Sequence, residues 1–169
     1  MRMELGITWC LLVAVGLIVA AEEQVPMSEL SDLQNKTLAL AAEELHSKKH
    51  INNRFQVFSV QEATEEDYSA GVFVRLNVMK RQTNCPKSQW KEGRECGAVN
   101  QGRVFDCCIC IKYHYGNRAV LSSFIDCVLS RHVNPERQRK RSDQCKSVKR
   151  KNETGFALPG ETSFSKSPK

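Results

Sequence analysis

The sequence predicts an α+β fold: one N-terminal helix packed on a four-stranded antiparallel sheet, stapled by disulfides and ending in a flexible C-terminal tail. Three observations carry that prediction. Helical periodicity occurs once, early in the chain, and is followed by segments with a period of two separated by turn residues. Seven cysteines lie beyond an apolar leader, the density expected of a secreted scaffold. The last residues, "FALPGETSFSKSPK", are polar and broken by Pro159, Gly160 and Pro168, so they make neither helix nor central strand.

The leader reads "MRMELGITWCLLVAVGLIVAAEEQ". Arg2 precedes an apolar run from Ile7 to Ala20, and small residues then meet Glu22 and Glu23. That order is a signal peptide over residues 1–21, cut after Ala20 or Ala21. The run is shorter than the roughly 20 residues of a spanning helix. A secreted, extracellular, soluble product is expected, and 169 residues leave room for one domain.

The helix is expected in "MSELSDLQNKTLALAAEELHSKK", where Leu30, Leu33, Thr37, Ala41 and Leu45 share a face. Ser28 is the expected N-cap, with Glu29 and Asp32 in the first turn and Lys48 and Lys49 at the end. Next come a strand in "NRFQVFSVQ", an acidic turn in "EATEEDYSAG", and a half-buried strand in "VFVRLNVMKRQ". After the loop "TNCPKSQWKEGRECGAVNQG" follow strands in "RVFDCCICIKYHY" and "RAVLSSFIDCVL", joined at Gly116 and Asn117. The helix should cover one sheet face, with loops reaching the other.

Secretion decides how Cys85, Cys96, Cys107, Cys108, Cys110, Cys127 and Cys145 are read: first as disulfides. Cys107-x-x-Cys110 has no second such pair and the four histidines are scattered, so neither metal nor cofactor is expected. Seven is odd, which leaves one thiol for burial or for another chain. "NKT" at Asn35 and "NET" at Asn152 are glycosylation sequons. Asn35 falls about 200° around the helix from Leu33 and should point outward.

Charge is uneven. Residues 22–68 carry 4 basic and 10 acidic side chains, whereas residues 69–169 carry 20 basic and 8 acidic. The densest run, Arg131 to Lys151, holds 9 basic residues against 2 acidic. It suits glycosaminoglycan or an anionic membrane, or serves as a solvated loop; nucleic acid is not expected for a secreted chain. No Ser/His/Asp, paired-carboxylate or phosphate-loop pattern occurs; His46 and His50 are four apart, but His50 follows two lysines near the helix end and reads as surface, so no enzyme activity is expected.

The helix, "AGVFVRL", "TNC…W…C", "CxxCIK", lone Cys127 and Cys145, and a "PG…FSK" ending together resemble the chemerin family, within the cystatin/cathelicidin-like fold group. The resemblance implies the pairs Cys85–Cys96, Cys107–Cys127 and Cys110–Cys145, with Cys108 the odd thiol. It ties the basic run to the sheet, so that only residues after about Cys145 hang free. It divides the chain into signal peptide (1–21), cystatin-like domain (22–148), receptor-activating tail (149–165) and a propeptide removed on activation (166–169).

It also implies a secreted chemoattractant or adipokine-type precursor with roles in chemotaxis, inflammation and adipocyte regulation. The tail would enter a chemerin-type G-protein-coupled receptor, with Pro159, Gly160, Phe164 and Ser165 matching the family motif. Lys166 would be the processing handle for an extracellular trypsin-like protease followed by a carboxypeptidase. Where the family has further aromatics this chain has Ala157, Leu158 and Thr162, and Glu161 adds a charge.

Two alternatives share the fold. A cystatin-type inhibitor of cysteine proteases resembles its relatives in a Gln-x-Val-x-Gly hairpin and a Pro-Trp loop. This chain has "SVQEATEEDYS" at the first, and Gln89 precedes Trp90 at the second. A cathelicidin-type antimicrobial host-defence protein would use Arg75, Lys80, Arg81, Lys87 and Lys91 interleaved with apolar residues and Trp90.

Overall fold

A computed structural model of the protein describes residues 24–89 and 95–153. The leader, Trp90 and Lys91, and the segment from 154 onward lie outside the described residues.

Helix α1 spans Asp32–Ser47 and opens on Ser31, not the expected Ser28. Ser31 Oγ accepts from the Gln34 amide, and Gln34 Oε1 accepts from the Ser31 amide. Ser-x-x-Gln is a capping box, a pairing that Ser28, three residues before Ser31, lacks. Met27–Glu29 form only a 3-10 turn.

Four strands follow: β1 (Asn53–Tyr68), β2 (Gly71–Pro86), β3 (Val104–Tyr113) and β4 (Val120–Leu129). They pair in chain order, each neighbour antiparallel. The acidic segment expected to be a turn is instead strand: β1 and β2 stay paired up to Tyr68 opposite Gly71, and only Ser69 and Ala70 turn. Two of its acids meet cations, Glu62 at 3.3 Å from Arg75 and Glu66 at 2.8 Å from Lys149, and Glu65 and Asp67 accept from the Ser31 and Tyr115 hydroxyls. Extended pairing therefore survives the charge. Gly71 is required by space, since a Cβ there would lie 1.9 Å from the Tyr113 carbonyl oxygen.

The basic run is not a loop. Pro135–Arg150 form a second helix, α2, which covers the sheet face that loops were expected to reach. Asn134 caps it, its Oδ1 accepting from the Arg137 amide at 2.8 Å, with Pro135 in the first turn. Arg141, Cys145 and Val148 are its buried residues, spaced 4 and 3 apart on one face. Among the described residues the fold is thus α+β with two α-helices, one on each face of the sheet.

The main core lies under α1. Leu33, Ala41 and Leu45 pack on Val74, Leu76, Val78, Ile109 and Ile111. Thr37 Oγ1 bonds the Leu33 carbonyl and the Tyr113 hydroxyl, each at 2.8 Å, so its burial leaves no polar atom unmet. A smaller cluster under α2 contains Phe73, Cys108, Cys110, Cys145 and Val148.

Among the described residues three disulfides form, Cys85–Cys96, Cys107–Cys127 and Cys110–Cys145, with Cys108 a buried free thiol. These are the pairs the resemblance implies. Adjacent strand residues face opposite ways: Cys107 sits in the α1 core opposite Cys127, and Cys108 in the α2 cluster. Among the described residues no helix is long and apolar enough to cross a membrane.

Candidate functional site

The residues expected to meet a receptor (Pro159, Gly160, Phe164 and Ser165) and the processing residue Lys166 lie outside the described residues. What can be built from the structure is the place from which that segment departs and the helix leading to it.

Helix α2 is fixed mainly by Arg141, which is 4% exposed. Its Nη1 donates to Asp106 Oδ1 at 2.5 Å and its Nε to Asp126 Oδ2 at 2.8 Å. Nη2 reaches the carbonyls of Asp106 and Asp126 at 3.0 and 3.1 Å. Arg137 Nη1 adds bonds of 2.8 and 3.0 Å to the two oxygens of Asp126. Burial alone would raise the Asp126 carboxyl, but the two arginines outweigh it and hold the group below the ordinary range.

Past α2, Lys151 donates to the Val148 carbonyl, and Asn152 turns the chain at φ 59°. Asparagine tolerates that left-handed conformation better than most residues, so it ends the helix and returns the chain to the sheet. Glu153 then lands on the β1–β2 turn. Its carboxylate accepts from Lys112 Nζ, from Ser69 Oγ, and from the Ala70 amide at 3.3 Å. Lys112 is fully buried, and its Nζ also donates to the Lys149 carbonyl at 2.8 Å. The Lys112 hydrogen bond, followed by that of Ser69, holds the Glu153 carboxyl down at about 2. The segment expected to hang free after about Cys145 is therefore packed through Glu153, beyond the boundary expected at 148. Like charge in the sequence hid a helix whose inward cations each meet an acid.

Asn35 and Asn152 are both exposed. Asn35 Nδ2 donates to the Leu30 carbonyl at 3.2 Å. Cys108 Sγ lies 3.7 Å from Cys145 Sγ, and burial raises its thiol against the opposing pull of Arg141 and Arg75. Cys108, Cys110 and Cys145 bring three sulfurs together, but two are oxidised to one another, leaving one thiol rather than a set of thiolates.

The stretch considered for membrane activity is largely β2. Lys80 is 1% exposed, with burial lowering its amine to about 8. Arg75 pairs with Glu62, Arg81 lies over the Phe58 ring at 5.5 Å, and Lys87 Nζ donates to the Lys48 carbonyl at 3.2 Å. Trp90 and Lys91 are outside the described residues. Within the folded body Lys80 is buried, and Arg75, Arg81 and Lys87 each contact another residue.

No family model matches the chain. It is 35% identical over 144 residues to retinoic acid receptor responder protein 2 of Homo sapiens, covering 84% of this chain and 87% of that protein. The Mus musculus protein of that name is 35% identical over 140 residues, covering 82% and 83%. That of Bos taurus is 33% identical over 141 residues, covering 82% and 86%. The chain belongs to the retinoic acid receptor responder protein 2, or chemerin, family. None of these relatives carries an enzyme's name. The chemerin-family body is thus a two-helix, one-sheet scaffold, and its last described residue is pinned at the β1–β2 turn.

Proposed function

We propose that the chain is a secreted precursor of the chemoattractant or adipokine type, whose C-terminal tail activates a chemerin-type G-protein-coupled receptor after proteolysis. Family membership over 84% of the chain carries the proposal. The geometry supports it at one point: Glu153 is held on the β1–β2 turn, and Pro159, Gly160, Phe164 and Ser165 all follow it in the sequence. In this reading a trypsin-like protease cuts after Lys166 and a carboxypeptidase removes it, leaving Phe164-Ser165 beside a free carboxylate. Residues 166–169 carry two lysines that would otherwise be desolvated in a receptor pocket, so their removal favours entry.

A signalling assay tests it. The chain ending at Ser165 should signal more strongly than the full-length chain, and Phe164→Ala should abolish most of the gain, since aromatic anchors carry much of a peptide's affinity. Full-length Lys166→Ala should resist activation by a trypsin-like enzyme. Equal signalling by the truncated and full-length forms on chemerin-type receptors would remove the tail from the mechanism.

A further inference from the structure

We propose that the outward face of α2 is a docking surface for a sulfated glycosaminoglycan, separate from the tail. The cations of the Arg131–Lys151 run divide by role. Arg137, Arg141 and Lys149 are committed to Asp106, Asp126 and Glu66 on the sheet. Arg131, ahead of the helix, and Arg139, Lys140, Lys146, Arg150 and Lys151 are exposed. Among the described residues, the one ion pair these exposed cations form is Lys146 to Asp143 at 3.8 Å, with both side chains mostly in solvent. Pairs of that kind hold a lysine only weakly.

Helical geometry aligns three of them. Arg139, Lys146 and Arg150 stand at i, i+7 and i+11, within about 40° of one another around the helix and spread over about 16 Å of its length. At the C-terminal end Lys146, Arg150 and Lys151 border an open depression of about 530 Å³. The stripe is also rigid, because the Cys110–Cys145 bridge and the Arg141 fork fix α2 from beneath. Cations held in place lose less freedom on meeting a linear polyanion than cations on a coil.

The same face disfavours a bilayer. A helix lying in a membrane interface needs an apolar side. Here Cys145 and Val148 are turned to the sheet, and none of the exposed large hydrophobic residues belongs to α2. What remains is a row of guanidinium and ammonium groups, matched to sulfate and carboxylate along a chain.

The test is titration of the full chain with a heparin oligosaccharide at several salt concentrations. Arg139→Gln/Lys146→Gln/Arg150→Gln should weaken binding at least tenfold at physiological salt. The slope of log K against log salt should become shallower by about 2–3, one lost counterion per removed cation. Lys49→Gln, at the end of α1 on the opposite face, should bind as wild type, and the triple variant should melt as wild type because none of its residues anchors α2. The proposal is overturned if the triple variant keeps wild-type heparin affinity. It is equally overturned if phosphatidylserine vesicles, or a DNA duplex, bind this face more tightly than heparin does. Because receptor activation is assigned to the tail, failure here leaves that reading intact.

Discussion

The two helices have the same length, 16 residues, and lie on opposite faces of one sheet, yet they are held by different forces. Helix α1 buries Leu33, Leu38, Ala41 and Leu45, each leucine contributing about 1.5–3 kcal/mol of non-directional stabilisation. Helix α2 buries one valine, one bridged cysteine and one arginine. Its disulfide closes a separation of 35 residues, about 3–4 kcal/mol in the chain-entropy model. The remainder is directional: Arg141 reaches two acids on two strands, which is possible only in the register that places Cys108 beside Asp126. Apolar burial gives α1 its strength, and hydrogen-bond geometry gives α2 its position.

The largest test of that contrast is Leu45→Ala. Leu45 is 1% exposed, so the change should lower stability by about 3–4 kcal/mol and move the single urea midpoint of the whole domain. Arg141→Ala should be nearly as costly, about 3 kcal/mol, because Asp126 and Asp106 lose the group that offsets them. Its damage should be local: amide-exchange protection should fall across α2 while β2 and β3 stay protected. Uniform loss across the molecule would erase the distinction between the helices.

A pH titration sharpens it next. His46, near the end of α1, accepts the Phe55 amide on Nε2 at 3.0 Å. Burial, and then the charges of Arg54, Lys80 and Lys87, lowers it from 6.5 to about 4. Between those values the unfolded chain binds the proton and the folded chain does not. The contribution is thus complete above pH 6.5 and is lost as pH falls toward 4. After allowance for half exposure it amounts to about 2 kcal/mol, and His46→Gln should remove the slope in that window from urea midpoints measured against pH.

The smallest effect is expected on the α2 side. In Cys110→Ser, Cys108 should take over Cys145, since their sulfurs are already 3.7 Å apart, and the net loss should be about 1 kcal/mol. Peptide mapping of the unreduced variant would find a Cys108–Cys145 bridge. Finding both thiols free would mean the α2 cluster cannot shift to bring them together.

These differences also explain what could be read from the chain. Helix α1 and the β2 strand announce themselves because burial by apolar residues leaves a period in the sequence: Leu33, Thr37, Ala41 and Leu45 in one, Val72, Val74, Leu76 and Val78 in the other. Helix α2 leaves no such trace, because Arg141 does the work of a core residue while looking like surface. The usable signals were Asn134-Pro135 at its start and the spacing of Arg141, Cys145 and Val148. Ser31-x-x-Gln34 likewise marks the cap, and cations on β2 and α2, Arg75 and Lys149, explain why Glu62 and Glu66 continue a strand. The Lys112–Glu153 contact joins residues far apart in sequence, and no local pattern encodes it.

That contact sets a length. Phe164 is eleven residues beyond Glu153, so its greatest possible distance from the β1–β2 turn is about 40 Å. Had the chain left the body at Cys145, nineteen residues would have separated the two and the limit would be about 65 Å. The volume within reach scales with the cube of that radius, so pinning Glu153 cuts the limit set by chain length alone to roughly a quarter. Under the proposed function, a receptor that grips the phenylalanine would have to do so within about 40 Å of the Ser69–Ala70 turn.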